Sequence, residues 1–155
     1  MLRNREVDAV AIWEPESENS AAALGPDAGV FQDRGLYREL FNLQTSTRVL
    51  KDPAKRRELV EFLRSLITAS AGLRDRPRDF WPLLSSRLNY TEAVIQKSWP
   101  QLRYAGSMAG DLLDVLVEEE RWVAKERVRA PRTREQLETL IDRSLLDEAR
   151  RGTAK

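Results

Sequence analysis

Cysteine and histidine are both absent from this 155-residue sequence. Their absence excludes disulfide frameworks, thiolate nucleophiles, Cys/His zinc sites and every Ser-His or Cys-His catalytic pair. Long apolar runs are missing as well. Nothing approaches the roughly 20 residues of a membrane span, and no signal-peptide core follows Met1. An excess of one charge is also lacking, since 26 Lys and Arg stand against 25 Asp and Glu for a net +1. That balance gives no field to draw the chain onto nucleic acid or an anionic membrane. Carboxylates, amines, guanidiniums, phenols and hydroxyls remain, a set that favours binding over catalysis. No enzyme, metal or cofactor is expected.

The charge does shift along the chain. Residues 1–50 hold 5 basic and 8 acidic side chains, the remainder 21 and 17. Both strand-like runs lie before that shift, and a succession of helices follows it. Val7–Ile12 is a short run of small and β-branched residues, the composition of a strand buried on both faces of a parallel sheet. Trp13-Glu14-Pro15 ends it, and a helix over Glu16–Leu24 is expected, stopped by Gly25-Pro26. A second, weaker strand is expected around 40–46. Beyond it, Asp52-Pro53 opens a helix over 53–71 with Leu59, Val60, Leu63, Leu66 and Ile67 at helical spacing. Further helices are expected from Asp79 to about Leu88, over 92–99 behind Thr91, from Ser107 or Gly110 to about Glu126, and after the capping box Thr133-Arg134-Glu135-Gln136. Leu102–Ala105 reads as a short extended piece.

The order of Glu6–Pro15, Tyr37-Arg38, Asn42–Thr45, Asp52-Pro53 and Leu63–Ala69 resembles the C-terminal half of an ABC-transporter solute-binding protein. The group resembled includes the aliphatic-sulfonate, taurine, nitrate and thiamin-precursor binders. The resemblance implies an α/β chain, part of a type 2 periplasmic-binding-protein-like fold, helix-rich with two or three short strands. It implies residues 1–48 as the end of a second lobe with its hinge return strand, and 49–155 as the helical part completing the first lobe. It implies a small-molecule solute, an ABC permease as partner of the full-length protein, and a periplasmic location. The chain as written shows no signal peptide, which places it in the cytoplasm if expressed alone. The amino-terminal half of such a receptor is missing, so either that half or self-association is expected to cover exposed apolar surface.

The cleft positions implied are Trp13, Glu14 and Pro15, at the carboxyl end of the first expected strand, where open α/β sheets hold ligands. An indole can stack on a flat ligand, and a carboxylate can accept from amines or hydroxyls. The bland alternative makes Trp13 core and Glu14 a helix-start residue satisfying backbone N–H groups. An anion on the turn Pro15–Ser17 is disfavoured, because Glu16 and Glu18 already occupy the positive end of that helix.

Trp81, Trp99, Trp122, Phe80 and Tyr104 read as packing residues. Arg127, Arg129, Arg132 and Arg134 read as a solvated connector, since acidic residues interleave and no aromatic platform accompanies them. Glu118-Glu119-Glu120 reads as a solvated face, because consecutive helical residues point about 100° apart and cannot converge on one ligand. Two rivals to the transport reading remain. One is a helical interaction or regulatory module without a small ligand. The other is an enzyme of the thiamin-precursor branch, disfavoured because that chemistry uses His and Cys.

Overall fold

The computed structural model describes residues 2–33, 35 and 38–151, with Arg3 by its backbone alone. All regular structure among the described residues is helical, with no strand and no sheet. Eight α-helices follow in order: α1 Glu16–Leu24, α2 Thr47–Lys51, α3 Pro53–Asp75, α4 Pro77–Leu88, α5 Glu92–Ser98, α6 Leu112–Glu126, α7 Arg134–Glu138 and α8 Ser144–Arg151. The expected α/β fold, with two or three short strands of a type 2 periplasmic-binding-protein-like sheet, is therefore corrected to an all-helical one.

The correction has a physical reason. A strand is stabilised by the ladder it shares with a neighbour, and β propensity measures the fit to a packed sheet surface more than a backbone preference. Val7–Ile12 has the right composition, but among the described residues no hydrogen bond joins its backbone to another segment. It runs as an irregular stretch between a 3-10 turn at Leu2–Asn4, closed by Arg5 N–H on the Leu2 carbonyl, and the start of α1. The stretch around 40–46 is likewise irregular, with the Asn42 amide turned back onto the Leu40 carbonyl at 3.3 Å. Leu102–Ala105 has no regular structure. Tyr37, part of the motif around the second expected strand, lies outside the described residues.

The helix starts follow their capping chemistry. The Asp52 carboxylate accepts from the N–H groups of Ala54 and Lys55 at 2.9 and 3.2 Å, and Pro53 opens α3 behind it. Thr91 Oγ1 accepts from Val94 N–H. At α7, Thr133 Oγ1 accepts from Gln136 N–H while Gln136 Oε1 accepts from Thr133 N–H, which closes the capping box. Ser46 does the same service for the short α2.

By contacts the chain forms two units, each made of two stretches. The first comprises residues 1–38 and 70–104. Its buried residues lie on α5, where Val94, Ile95 and Ser98 form one face. Trp81 and Trp99 meet edge to face at 6.2 Å between ring centroids, and Trp99 packs on Tyr104 at 5.0 Å. The Arg74 guanidinium donates to the Tyr104 carbonyl at 2.5 Å.

Gly72 makes room in this unit. A Cβ there would lie 2.7 Å from Cζ of Phe80. Gly72→Ala gains about 1 kcal/mol of helix propensity but meets an overpacking penalty of about 1–3 kcal/mol. The expected result is a net loss of about 1 kcal/mol in urea unfolding. The same substitution in a Phe80→Leu background, where the ring edge is gone, loses less or gains. Equal effects in the two backgrounds would show that the Phe80 ring is not the obstacle.

The second unit comprises residues 39–69 and 105–155. Its core is Val60 of α3 with Leu145 and Ala149 of α8, edged by Leu50, Leu59, Leu63 and Ile67. Two arginines of α3 tie α8 along its length. Arg56 donates to Ser144 Oγ and pairs with Glu148 at 2.9 Å. Arg64 donates to the carbonyls of Ala149 and Glu148 in the last turn. Among the described residues no helix is long and apolar enough to cross a membrane.

Candidate functional site

Trp13, Glu14 and Pro15 lie in the first unit, immediately before α1. Trp13 is 68% exposed. It is neither core nor the wall of a closed pocket. Pro15 precedes the first helical residue of α1. Glu14 is half-buried, and its Oε2 accepts from Glu18 N–H at 3.2 Å and from the Ser98 hydroxyl at 3.0 Å. Ser98 Oγ also lies 2.9 Å from the Val94 carbonyl, so one hydroxyl proton is shared between two acceptors. The charged carboxylate is the stronger of them.

The anion seat at the head of α1 is therefore filled by the chain's own carboxylate. The next two acids complete a polar seam onto α5 and its approach. Glu16 Oε1 accepts from the Tyr90 hydroxyl at 2.5 Å, and Glu18 pairs with Lys97 at 2.9 Å. The bond to Glu16, helped by partial desolvation, raises the Tyr90 phenol above its ordinary pKa. Glu14, Glu16 and Glu18 thus act together as a joint between α1 and α5. None of the three is offered to a solute in this arrangement.

The partners Ser98, Tyr90 and Lys97 were not evident as such from the sequence, although one signal was available. Ser98 shares a helical face with Val94 and Ile95, and a hydroxyl on an otherwise apolar buried face requires an acceptor.

One expectation about charged residues needs correction. Glu120 is not part of a solvated face. It is buried, and its carboxylate is held by the Arg129 guanidinium at 2.5 and 2.9 Å and by the Arg132 N–H at 2.8 Å, with the Arg132 side chain at 3.4 Å. The Arg129 bond first, then the Arg132 backbone bond, pull its pKa down to about 2. Arg129 and Arg132 are accordingly structural, and Arg134 pairs with Asp114 at 2.7 Å. The run is exposed, as expected of a solvated connector, and its Arg129 and Arg132 also anchor it to Glu120. Trp122 is corrected in the opposite sense, since it is 66% exposed and not a packing residue.

A concavity of about 290 Å³ in the second unit is lined by Leu113, Glu138, Ile141 and Arg143. Among the described residues no group of carboxylates is arranged to hold a metal ion. Large apolar side chains stand in water on the irregular stretches instead. Phe31 is 99% and Phe41 84% exposed, and Val10, Ile12, Val30 and Leu43 are exposed with them. Comparison of the chain with known protein families, with curated proteins and with solved structures finds no match.

Proposed function

We propose that this chain is part of the solute-binding component of an ABC importer for a small organic solute, such as a sulfonate, a nitrate-like anion or a thiamin precursor. On this proposal it works only when a further polypeptide covers its irregular apolar stretches. One observation carries the proposal. Trp13, Phe31 and Phe41 are in water on segments outside the helices, while the helices keep Val60, Val94, Ile95, Leu137 and Leu145 buried. Burying a large apolar side chain is worth about 1.5–3 kcal/mol, so leaving several exposed leaves a strong drive toward association. The order of sequence motifs supports the transport half of the proposal. The all-helical fold counts against that half, since the resemblance rests on a strand over Val7–Ile12 and that segment is irregular.

In sedimentation velocity the chain alone is expected to self-associate at micromolar concentration, and the triple variant Trp13→Ser, Phe31→Ser, Phe41→Ser to remain monomeric. Mixed with the amino-terminal half of an aliphatic-sulfonate receptor, it is expected to form a one-to-one complex that binds taurine or an alkanesulfonate by calorimetry. A stable monomer with no such complex would defeat the proposal.

A second reading, a helical interaction module without a small ligand, is favoured by the internal use of Glu14. It is distinguished by a complex that forms through Trp13, Phe31 and Phe41 but takes up no solute.

A further inference from the structure

Val7–Ile12 has the side chains of a strand and, within one molecule, no strand to lie beside. Among the described residues none of its N–H or carbonyl groups has a hydrogen bond. Val7 is half-buried, and the other five residues are exposed. In an extended segment, alternation sets Val7, Ala9, Ala11 and Trp13 on one face and Asp8, Val10 and Ile12 on the other. A run of unbonded backbone with an apolar face is what pairing to another strand recognises. The surface therefore asks for main-chain donors and acceptors as well as for apolar cover.

We propose that Val7–Ile12 pairs antiparallel with the same segment of a second copy of this chain, across a two-fold axis. The pairing lies between molecules and leaves the helical fold of each as it stands. It rests on the self-association expected above and supplies the contact that drives it. Charge selects the register. A two-fold axis through an antiparallel pair makes the numbers of facing residues sum to an even value. Two such registers pair five of the six residues, one centred on Ala9 and one on Val10. Centring on Val10 sets Glu6 opposite Glu14 of the copy, and like charges facing each other are unfavourable. Centring on Ala9 sets Asp8 opposite Val10 and Glu6 opposite Ile12, and it brings Arg5 beside the exposed Trp13 indole. The segment is thus complementary to itself with Ala9 on the axis. A two-stranded ribbon alone is marginal, so the dimer is weak and depends on concentration.

The chain has no cysteine of its own, so single cysteines report the register. In Ala9→Cys the two Cβ atoms face each other at about 5 Å, in Val10→Cys they are diagonal at about 7–8 Å, and in Ala11→Cys they are further apart. A disulfide needs the first of these spacings. Under copper-phenanthroline oxidation the linked dimer is expected to form fastest from Ala9→Cys and slowest from Ala11→Cys. Equal rates, or a maximum at another position, overturn the proposal. Sedimentation velocity tests the backbone. The double variant Ala9→Pro, Val10→Pro removes a ladder N–H whichever of the two faces the copy, and the dimer Kd is expected to rise on the order of tenfold or more. The segment has no backbone bond within its own molecule, so far-ultraviolet circular dichroism stays unchanged. Undiminished association of this variant, with Trp13, Phe31 and Phe41 intact, overturns the pairing and leaves the apolar association of the chain standing. A parent chain that stays monomeric overturns both.

Discussion

Val60→Asp is expected to abolish the cooperative unfolding of the second unit. Val60 is buried against Leu145 and Ala149, and the Arg56 and Arg64 guanidiniums are engaged with Glu148 and with the last carbonyls of α8. An unpaired carboxylate forced into such a site costs roughly 4 kcal/mol or more. A small domain has only about 5–15 kcal/mol in total, so the penalty consumes much of what holds α3 to α8. Val60→Ala removes two methyl groups without adding charge and is expected to cost about 2 kcal/mol. Ala149→Leu, which adds bulk where Ala149 is fully buried, is expected to cost about 1–3 kcal/mol. Urea unfolding followed at 222 nm checks all three. A Val60→Asp chain that unfolds in one transition at the parent's urea concentration would show that α3 and α8 do not share a core.

Acid is expected to loosen the turn between α6 and α7 through a single carboxylate. Glu120 titrates at about 2 in the folded chain against 4.5 for the free group. A depressed folded value means that the unfolded chain takes up the proton first, so stability falls as pH falls. Glu120's contribution is complete above about 4.5, declines as pH drops below that, and is gone by about 2. Glu120→Gln keeps the shape but loses the charge that Arg129 and Arg132 grip. The variant is expected to unfold at lower urea than the parent at pH 7, with the difference shrinking between pH 4.5 and 2. A difference that stays constant from pH 7 to pH 2 would assign the stabilisation to packing of the Glu120 side chain.

What could be read in advance divides by the range of the physics involved. The caps at Asp52-Pro53, Thr91 and Thr133-Gln136 act over two or three residues, so adjacent sequence contains both donor and acceptor. The stop of α1 at Gly25 is equally local, because the residue sits at a φ of 61° that favours glycine. The composition of Val7–Ile12 speaks only to what the segment could do beside a sheet, and among the described residues none is there to receive it.

Helix faces failed for a geometric reason. Trp122 reads as a packing residue from its size and type, although a wheel centred on buried Ala124 and Glu120 puts it outside. By the same rotation Glu118, Glu119 and Glu120 could not all face water. The burial of Glu120 needed one further fact, a pair of arginines folded back from beyond the helix. The joint at Glu14 was half legible. Its role at the start of α1 is local, whereas its bond to Ser98 spans 84 positions.

The tie between α3 and α8 has a consequence for how the chain is made. Arg64 and the Ala149 carbonyl stand 85 positions apart. As the polypeptide leaves the ribosome, α3 emerges long before α8 exists, and its Val60, Leu63 and Ile67 ridge has nothing of its own to lie against. Closing so large a loop is entropically slow, and an uncovered greasy ridge is the kind of surface that holding chaperones occupy during synthesis.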